Sequence, residues 1–313
     1  MKQNELVINW LLEDDNPAVK YRTLTELLDI PEDRKEVIEA KKKVLSTLSQ
    51  AVDTEWMSDV KGLWLTYNLV ALAECGLNKS EIDVSSVFAS KSDRSNRGAP
   101  SGLQYGGKFD ANCCDALMLR ALVALGYKEN ENIQSWLNKF PEYMLPDGGF
   151  LCAHWRRRFR YTPKSCIKDN MHVLLMLAEC KKQGLEFECA GNLIDYFMKR
   201  GVFYRSDSPD TLVLHSRPGK RMIDNFFPAE PFRVGLPQLL YAFSVLGAGN
   251  RRELKEAWEL LSRKRDREGK FILEGTLAKS YLPKERVGKP SKWVTFYALS
   301  AEKHRGLRTL VRN

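Results

Sequence analysis

Two kinds of hydrophobic pattern alternate along this chain. Five segments, residues 63–75, 113–127, 166–180, 232–247 and 293–301, are apolar nearly all the way round. A helix without a polar face must be covered on every side. Between them lie one-sided segments. Ile133, Trp136, Leu137, Phe140 and Met144 fall at i, i+3, i+4, i+7 and i+11, and Leu254, Ala257, Trp258 and Leu261 repeat that spacing, with Lys, Glu, Arg and Asn on the opposite face. Fully buried helices alternating with half-exposed ones predict an all-α fold with an inner layer wrapped by an outer one.

Short repeats support the pairing. Leu-Val-Ala-Leu occurs at 69–72 and 122–125, and Leu-Ala-Glu-Cys at 72–75 and 177–180. A loop with Gly before Phe recurs as Asp147-Gly148-Gly149-Phe150, Gly201-Val202-Phe203 and Glu268-Gly269-Lys270-Phe271. The longer second interval places an insertion at 206–225, a loop punctuated by Pro209, Pro218 and Gly219. A period near fifty residues is typical of helical repeats. At the start of the chain, Asn16-Pro17 reads as an N-cap with proline at the first helical position. Val19, Thr23, Leu24, Leu27 and Leu28 then form a stripe, and 36–48 a second helix. This hairpin, residues 5–50, brings the count to about six. Six hairpins are enough to close an α/α toroid, a single domain over residues 1–313 with no Pro- or Gly-rich linker.

Composition adds limits. Hydrophobic residues make up 43% and charged residues 28%, the balance of a folded globule. No apolar run approaches the ~20 residues that span a bilayer, and no charged-then-apolar leader is present, so a cytoplasmic protein is expected. Seven scattered cysteines suit reduced, buried thiols. The net charge of +9 admits anionic partners, and a lysine-rich exterior accounts for it equally well. Glycine-rich phosphate loops, the dinucleotide fingerprint and the His-Glu-x-x-His run are absent, which removes support for nucleotide-driven or hydride chemistry.

Trp10-Leu11-Leu12-Glu13, followed by Asn16-Pro17-Ala18-Val19-Lys20-Tyr21-Arg22-Thr23-Leu24, resembles the opening of a prokaryotic squalene-cyclase-like family with no settled reaction. Cys114-Asp115-Ala116-Leu117, the Asp147–Phe150 loop and Pro290-Ser291-Lys292-Trp293-Val294-Thr295 carry the same resemblance. The wider group is the terpenoid cyclase and protein prenyltransferase superfamily. It implies a toroid with an apolar central cavity for an isoprenoid or similar lipid. The chain lacks the Asp-x-Asp-Asp acid of class II cyclases. Where prenyltransferase β-subunits place Asp-x-Cys for zinc, Asp169 is followed two residues on by Met171. Of the cyclases' repeat motif only Gly-Gly-Phe remains. If the chain is an enzyme, it is prenyltransferase-like or lyase/isomerase-like, and no cofactor is established by the pattern.

Three constellations could carry chemistry. In the segment opened by Thr162-Pro163, Cys166, Asp169 and His172 stand at i, i+3 and i+6. They read either as a thiolate with an Asp-oriented imidazole base near neutral pKa, as zinc-ligand types, or as a buried thiol with a local Asp–His bond. Asp115 lies 54 residues before Asp169, at a comparable helix start, which is either a paired acid or favourable dipole chemistry. The run His154-Trp155-Arg156-Arg157-Arg158-Phe159-Arg160-Tyr161, continued by Lys164 and Lys168, reads as an anion site at a cavity rim, a nucleic-acid patch or a solvated basic loop. Trp64, Tyr67, Tyr105, Phe232, Trp293 and Tyr297 are candidate cavity-lining aromatics or ordinary core residues. The expected function is a cavity protein or enzyme acting on an apolar, isoprenoid-like small molecule, with a phosphate held at the basic rim. The competing class is a non-catalytic toroid that binds a peptide, protein or nucleic acid through a basic face.

Overall fold

A computed structural model of the chain describes residues 2–48, 63–85, 111, 113–150, 165–205, 208–212, 234–275 and 285–306. Among these the chain is mostly helical. The helices are α1 (Lys2–Leu11), α2 (Pro17–Arg22), α3 (Lys35–Thr47), α4 (Leu63–Glu74), α5 (Cys113–Ala124), α6 (Glu131–Lys139), α7 (Ile167–Lys182), α8 (Cys189–Met198), α9 (Leu236–Val245), α10 (Lys255–Arg263) and α11 (Lys292–His304). No helix among the described residues is long and apolar enough to cross a membrane. One short antiparallel pair, β1 (Tyr204–Arg205) with β2 (Ser208–Leu212), stands where a plain loop was expected.

The two patterns of the sequence become two kinds of burial. In α7, residues 169–178 are buried without interruption, and in α11 residues 292–302. By contrast α3 buries only Val37, Ala40 and Val44, α6 only Ile133 and Leu137, and α10 only Ala257, Trp258 and Leu261. α6 stops at Lys139, short of the apolar periodicity, because Pro141 removes an amide donor; the chain continues as a 3-10 turn over Phe140–Tyr143.

Contacts divide the chain into two compact units, residues 1–49 with 197–313, and residues 50–196. In the second unit the three all-round apolar helices form a row, α4 against α5 and α5 against α7, with α6 on the outside of α5. In the first unit α9 packs on α11 and carries α10. There α11 also meets α2 and the π-turn Thr23–Leu27 that extends it, so the last described helix is a neighbour of the second. As expected, Asn16 caps α2, its side chain accepting from Val19 N at 3.3 Å. Lys292, buried on α11, reaches Glu13 at 3.0 Å and Asp15, and Lys303 reaches Asp29 at 2.6 Å. Arg22 lies over the rings of Phe296 at 4.6 Å, Tyr297 at 5.4 Å and Trp293 at 6.0 Å.

The repeat register is written in helix ends. Gly76, Gly126, Gly184, Gly247 and Gly306 all take positive φ just beyond the five apolar helices. At the first four, the next residue's amide bonds back five residues, as Leu77 N does to Leu72 O at 3.2 Å and Ala248 N to Phe243 O at 2.8 Å. This is a Schellman stop, which satisfies carbonyls the helix leaves open. The spacings between these glycines are 50, 58, 63 and 59 residues.

The Gly-Phe loops fall into two kinds. In 145–150 and 266–271 the turn is the same: Leu145 N bonds to Gly149 O at 2.7 Å, and Asp266 N to Lys270 O at 2.9 Å. Phe150 O then accepts from Cys166 N, and Phe271 O from Ser291 N, both at 2.8 Å. Asn170 Oδ1 accepts from Phe150 N at 2.7 Å, and Thr295 Oγ1 from Phe271 N at 3.1 Å. Gly201-Val202-Phe203 differs; it caps α8, with Val202 N bonded to Phe197 O at 3.0 Å. The expected third copy of the loop is therefore a helix end.

A Cβ at Gly149 would stand 2.5 Å from both Asn170 Nδ2 and Ser165 Oγ, which leaves no room for it. Gly149→Ala is expected to lower stability by about 1–3 kcal/mol, through displacement of the start of α7. Urea denaturation of the variant checks this, and an unchanged midpoint would show that the clip between loop and helix carries no stability.

Candidate functional site

The chemistry-bearing residues of the second unit sit in its row of apolar helices. Asp115 lies in the first turn of α5 and Asp169 in the first turn of α7, and neither has any exposed surface. Acids are favoured there by the partial positive charge at a helix N-terminus. Asn170 and His172 follow on α7, both buried, and Asn68 is buried on α4. Lower in the row, buried Glu74 of α4 and half-buried Arg120 of α5 form an ion pair.

The glycine stops set how α5 and α7 correspond. From Gly126 to Gly184 the offset is 58, so Asp115 aligns with Val173 and Asp169 stands four residues nearer the N-terminus. Four residues make one turn, about 6 Å of rise with about 40° of rotation. Counted from its own helix stop, Asp169 therefore lies about one turn farther along its helix than Asp115 does. The 54-residue match, which would set them level, gives way to this register.

Burial pushes His172 down to about pH 3, and the charges of Arg120 and Lys168 add to the shift. The imidazole is neutral at physiological pH. The expectation of a base near neutrality is thus corrected: His172 offers one donor and one acceptor, and does not take up a proton in ordinary buffers. The first-turn thiol is corrected as well. Cys166 is the N-cap of α7, in extended backbone at φ −94 and ψ 116, and half-buried.

Metal binding fares no better. Among the described residues no group of three or more His, Cys, Asp or Glu side chains, Cys166, Asp169 and His172 included, is placed to hold a metal ion. Three ligands spread over two turns of one helix diverge unless other segments complete the site. No disulfide occurs among the described cysteines. Burial pushes the thiols of Cys180 and Cys189 up to about 12 and about 11, which makes both inert.

Tyr105, Arg156, Arg157, Arg158, Arg160, Lys164 and Phe232 lie outside the described residues. So do the side chains of Trp64 and Tyr67, whose backbone belongs to α4. Trp293 and Tyr297 are fully buried in the first unit, on the α11 face that meets Arg22.

Sequence reasoning passed over two amides. The side-chain O and N of Asn68, and Nδ2 of Asn170, are buried without a hydrogen-bond partner among the described residues. For Asn68 a signal was available, an amide followed by the apolar run 69–73; Asn170 stands among Lys168, Asp169 and His172 and gave none. Compared with family models, with curated proteins and with solved structures, the chain matches none.

Proposed function

We propose that the chain is an α/α toroid that binds and acts on an apolar, isoprenoid-like small molecule beside the α4–α5–α7 row. The observation that carries this reading is the set of wholly buried polar atoms in that row, above all the amide of Asn68 and the Nδ2 of Asn170, which find no hydrogen-bond partner among the described residues. Buried polar groups without partners cost about 1–3 kcal/mol each, and such groups call for a missing partner. A ligand with an apolar body and one polar end supplies both halves, its body against the helices and its end on the amides. Asp115 and Asp169 then serve as the proton-transfer groups. Neutral His172 serves as a hydrogen-bonding neighbour. A phosphate on the ligand would fall to the basic segment 156–168, which leads into α7.

Native mass spectrometry of freshly purified protein tests the reading. The expected result is a retained apolar compound, and a rise in melting temperature with farnesol or farnesyl diphosphate that Asn68→Leu and Asn170→Leu reduce. Protein that is empty in repeated preparations, with no thermal shift from either probe, would overturn it. The second reading, a non-catalytic toroid with a basic binding face, is favoured by one further feature of the first unit.

A further inference from the structure

The first unit carries an open groove of about 620 Å³ along α10. Lys255, Trp258, Glu259 and Ser262 line it from one helical face, at i, i+3, i+4 and i+7. Arg251, Arg252, Arg263 and Arg305 complete a lining of five cations against one carboxylate, Glu259. Lys255 approaches Glu259 only to 3.9 Å, and Arg251 is engaged by Glu253 at 3.2 Å. Arg252 and Arg263 are both exposed, and Arg252 adds to the charge that lowers the pKa of Glu253.

Arg305 is held differently from the others. Its guanidinium lies 4.4 Å from the centroid of the Trp258 ring. Its Nε donates to Asn250 Oδ1 at 2.9 Å, and Asn250 Nδ2 donates back to Arg305 O at 3.2 Å. The indole beneath is fixed in turn, donating to Gly249 O at 2.9 Å. Because Nε is taken, four N–H donors remain on the two terminal nitrogens. A guanidinium whose rotamer is already set loses little entropy on binding an anion, and its planar fork matches phosphate oxygens.

The groove's size lies within the range of small-molecule sites, about 300–1,000 Å³. Single-stranded nucleic acid needs exposed aromatic faces for stacking, and Trp258 is only 7% exposed with its face covered by Arg305. The arrangement reads charge and not bases. We propose that this groove binds a small polyanion bearing two or more phosphate groups, with Arg305 as the fixed fork and Arg252 and Arg263 as flanking charges. The site is independent of the helix row in the second unit.

Calorimetric titration with inorganic pyrophosphate and tripolyphosphate tests this, with folding of each variant checked by circular dichroism. The expected result is saturable binding, tighter for tripolyphosphate, that weakens at least about tenfold in Arg252→Glu/Arg263→Glu. Arg305→Lys keeps the charge but loses the fork, and is expected to weaken binding by about fivefold. Lys35→Glu/Lys42→Glu makes the same charge change on α3 of the same unit, and is expected to alter affinity less than about twofold. No saturation at millimolar pyrophosphate overturns the proposal, as does an equal loss in the α3 control, which would mean bulk charge alone. Tighter binding of a 15-nucleotide single strand than of tripolyphosphate, with the same sensitivity to Arg252 and Arg263, overturns it in favour of a nucleic-acid surface.

Discussion

Arg22→Ala is expected to lose about 1.5–3 kcal/mol of stability, the loss that follows removal of the buried partner of a half-buried, charge-assisted pair. Arg22 is 6% exposed; its Nε bonds to Glu26 at 2.5 Å and its Nη1 to the hydroxyl of Tyr297 at 3.3 Å. Three aromatic rings of α11 surround the guanidinium. Its removal leaves Glu26 without its cation and opens a gap beside Trp293, which has no exposed surface. Arg22→Lys should recover only part of the loss, because an ammonium cannot lie flat against several rings and hold a carboxylate with a fork. Chemical denaturation measures both variants. A loss under about 1 kcal/mol for Arg22→Ala would show that the N-terminal helix is not anchored to α11 through this residue. The position also joins two segments distant in sequence, 16–24 and 290–295, since Arg22 belongs to the first and Lys292 and Trp293 to the second.

His172 is expected to make stability depend on pH. Its folded pKa, about 3, lies below the ordinary value of 6.5. Between those values the unfolded chain binds a proton that the folded chain refuses. Stability therefore falls as pH falls through the window, and is fully present above 6.5. The slope approaches about 1.4 kcal/mol per pH unit once the unfolded imidazole is protonated. Glu285, whose pKa burial raises, works in the opposite sense, and comparison with a His172→Gln variant removes its effect. Unfolding free energies of both proteins from pH 7 to 4.5 should diverge, with the wild type losing more. Parallel curves would mean that His172 is protonated in the fold, and the neutral imidazole assigned to the site would be withdrawn.

Much of the helical architecture was legible because burial leaves a period. The all-round apolar runs at 113–127 and 166–180 could only be helices covered on every side, and α5 and α7 lie there. Boundaries were less legible. Met144 continues the apolar period of α6 but lies beyond Pro141, and β1 with β2 arose in a stretch whose composition reads as loop. Gly201-Val202-Phe203 resembles Gly148-Gly149-Phe150 in letters, yet a helix stop and a turn clipped to the next helix are different objects. The glycines after the apolar helices were the better ruler, because positive φ at a helix end is a physical demand and a four-letter match is not.

The candidate site divides along the same line. The sequence by itself determined which residues were unusual: Asp115, Asp169 and His172 stand out as polar groups within apolar helices, and their residue types define what they are able to do. Only the tertiary structure decided their state. His172 loses its basicity to burial and to the charges of Arg120, 52 residues earlier, and Lys168, so its pKa is a property of the packed row and not of its own helix. Asn68 and Asn170 became notable only when burial was combined with the lack of partners. Arg305 reached Trp258 across 47 residues of sequence, a pairing that no local pattern encodes. Period and cap are local properties, written within a few turns of chain. Electrostatic environment is a sum over everything nearby in space, and it exists only once the chain has folded.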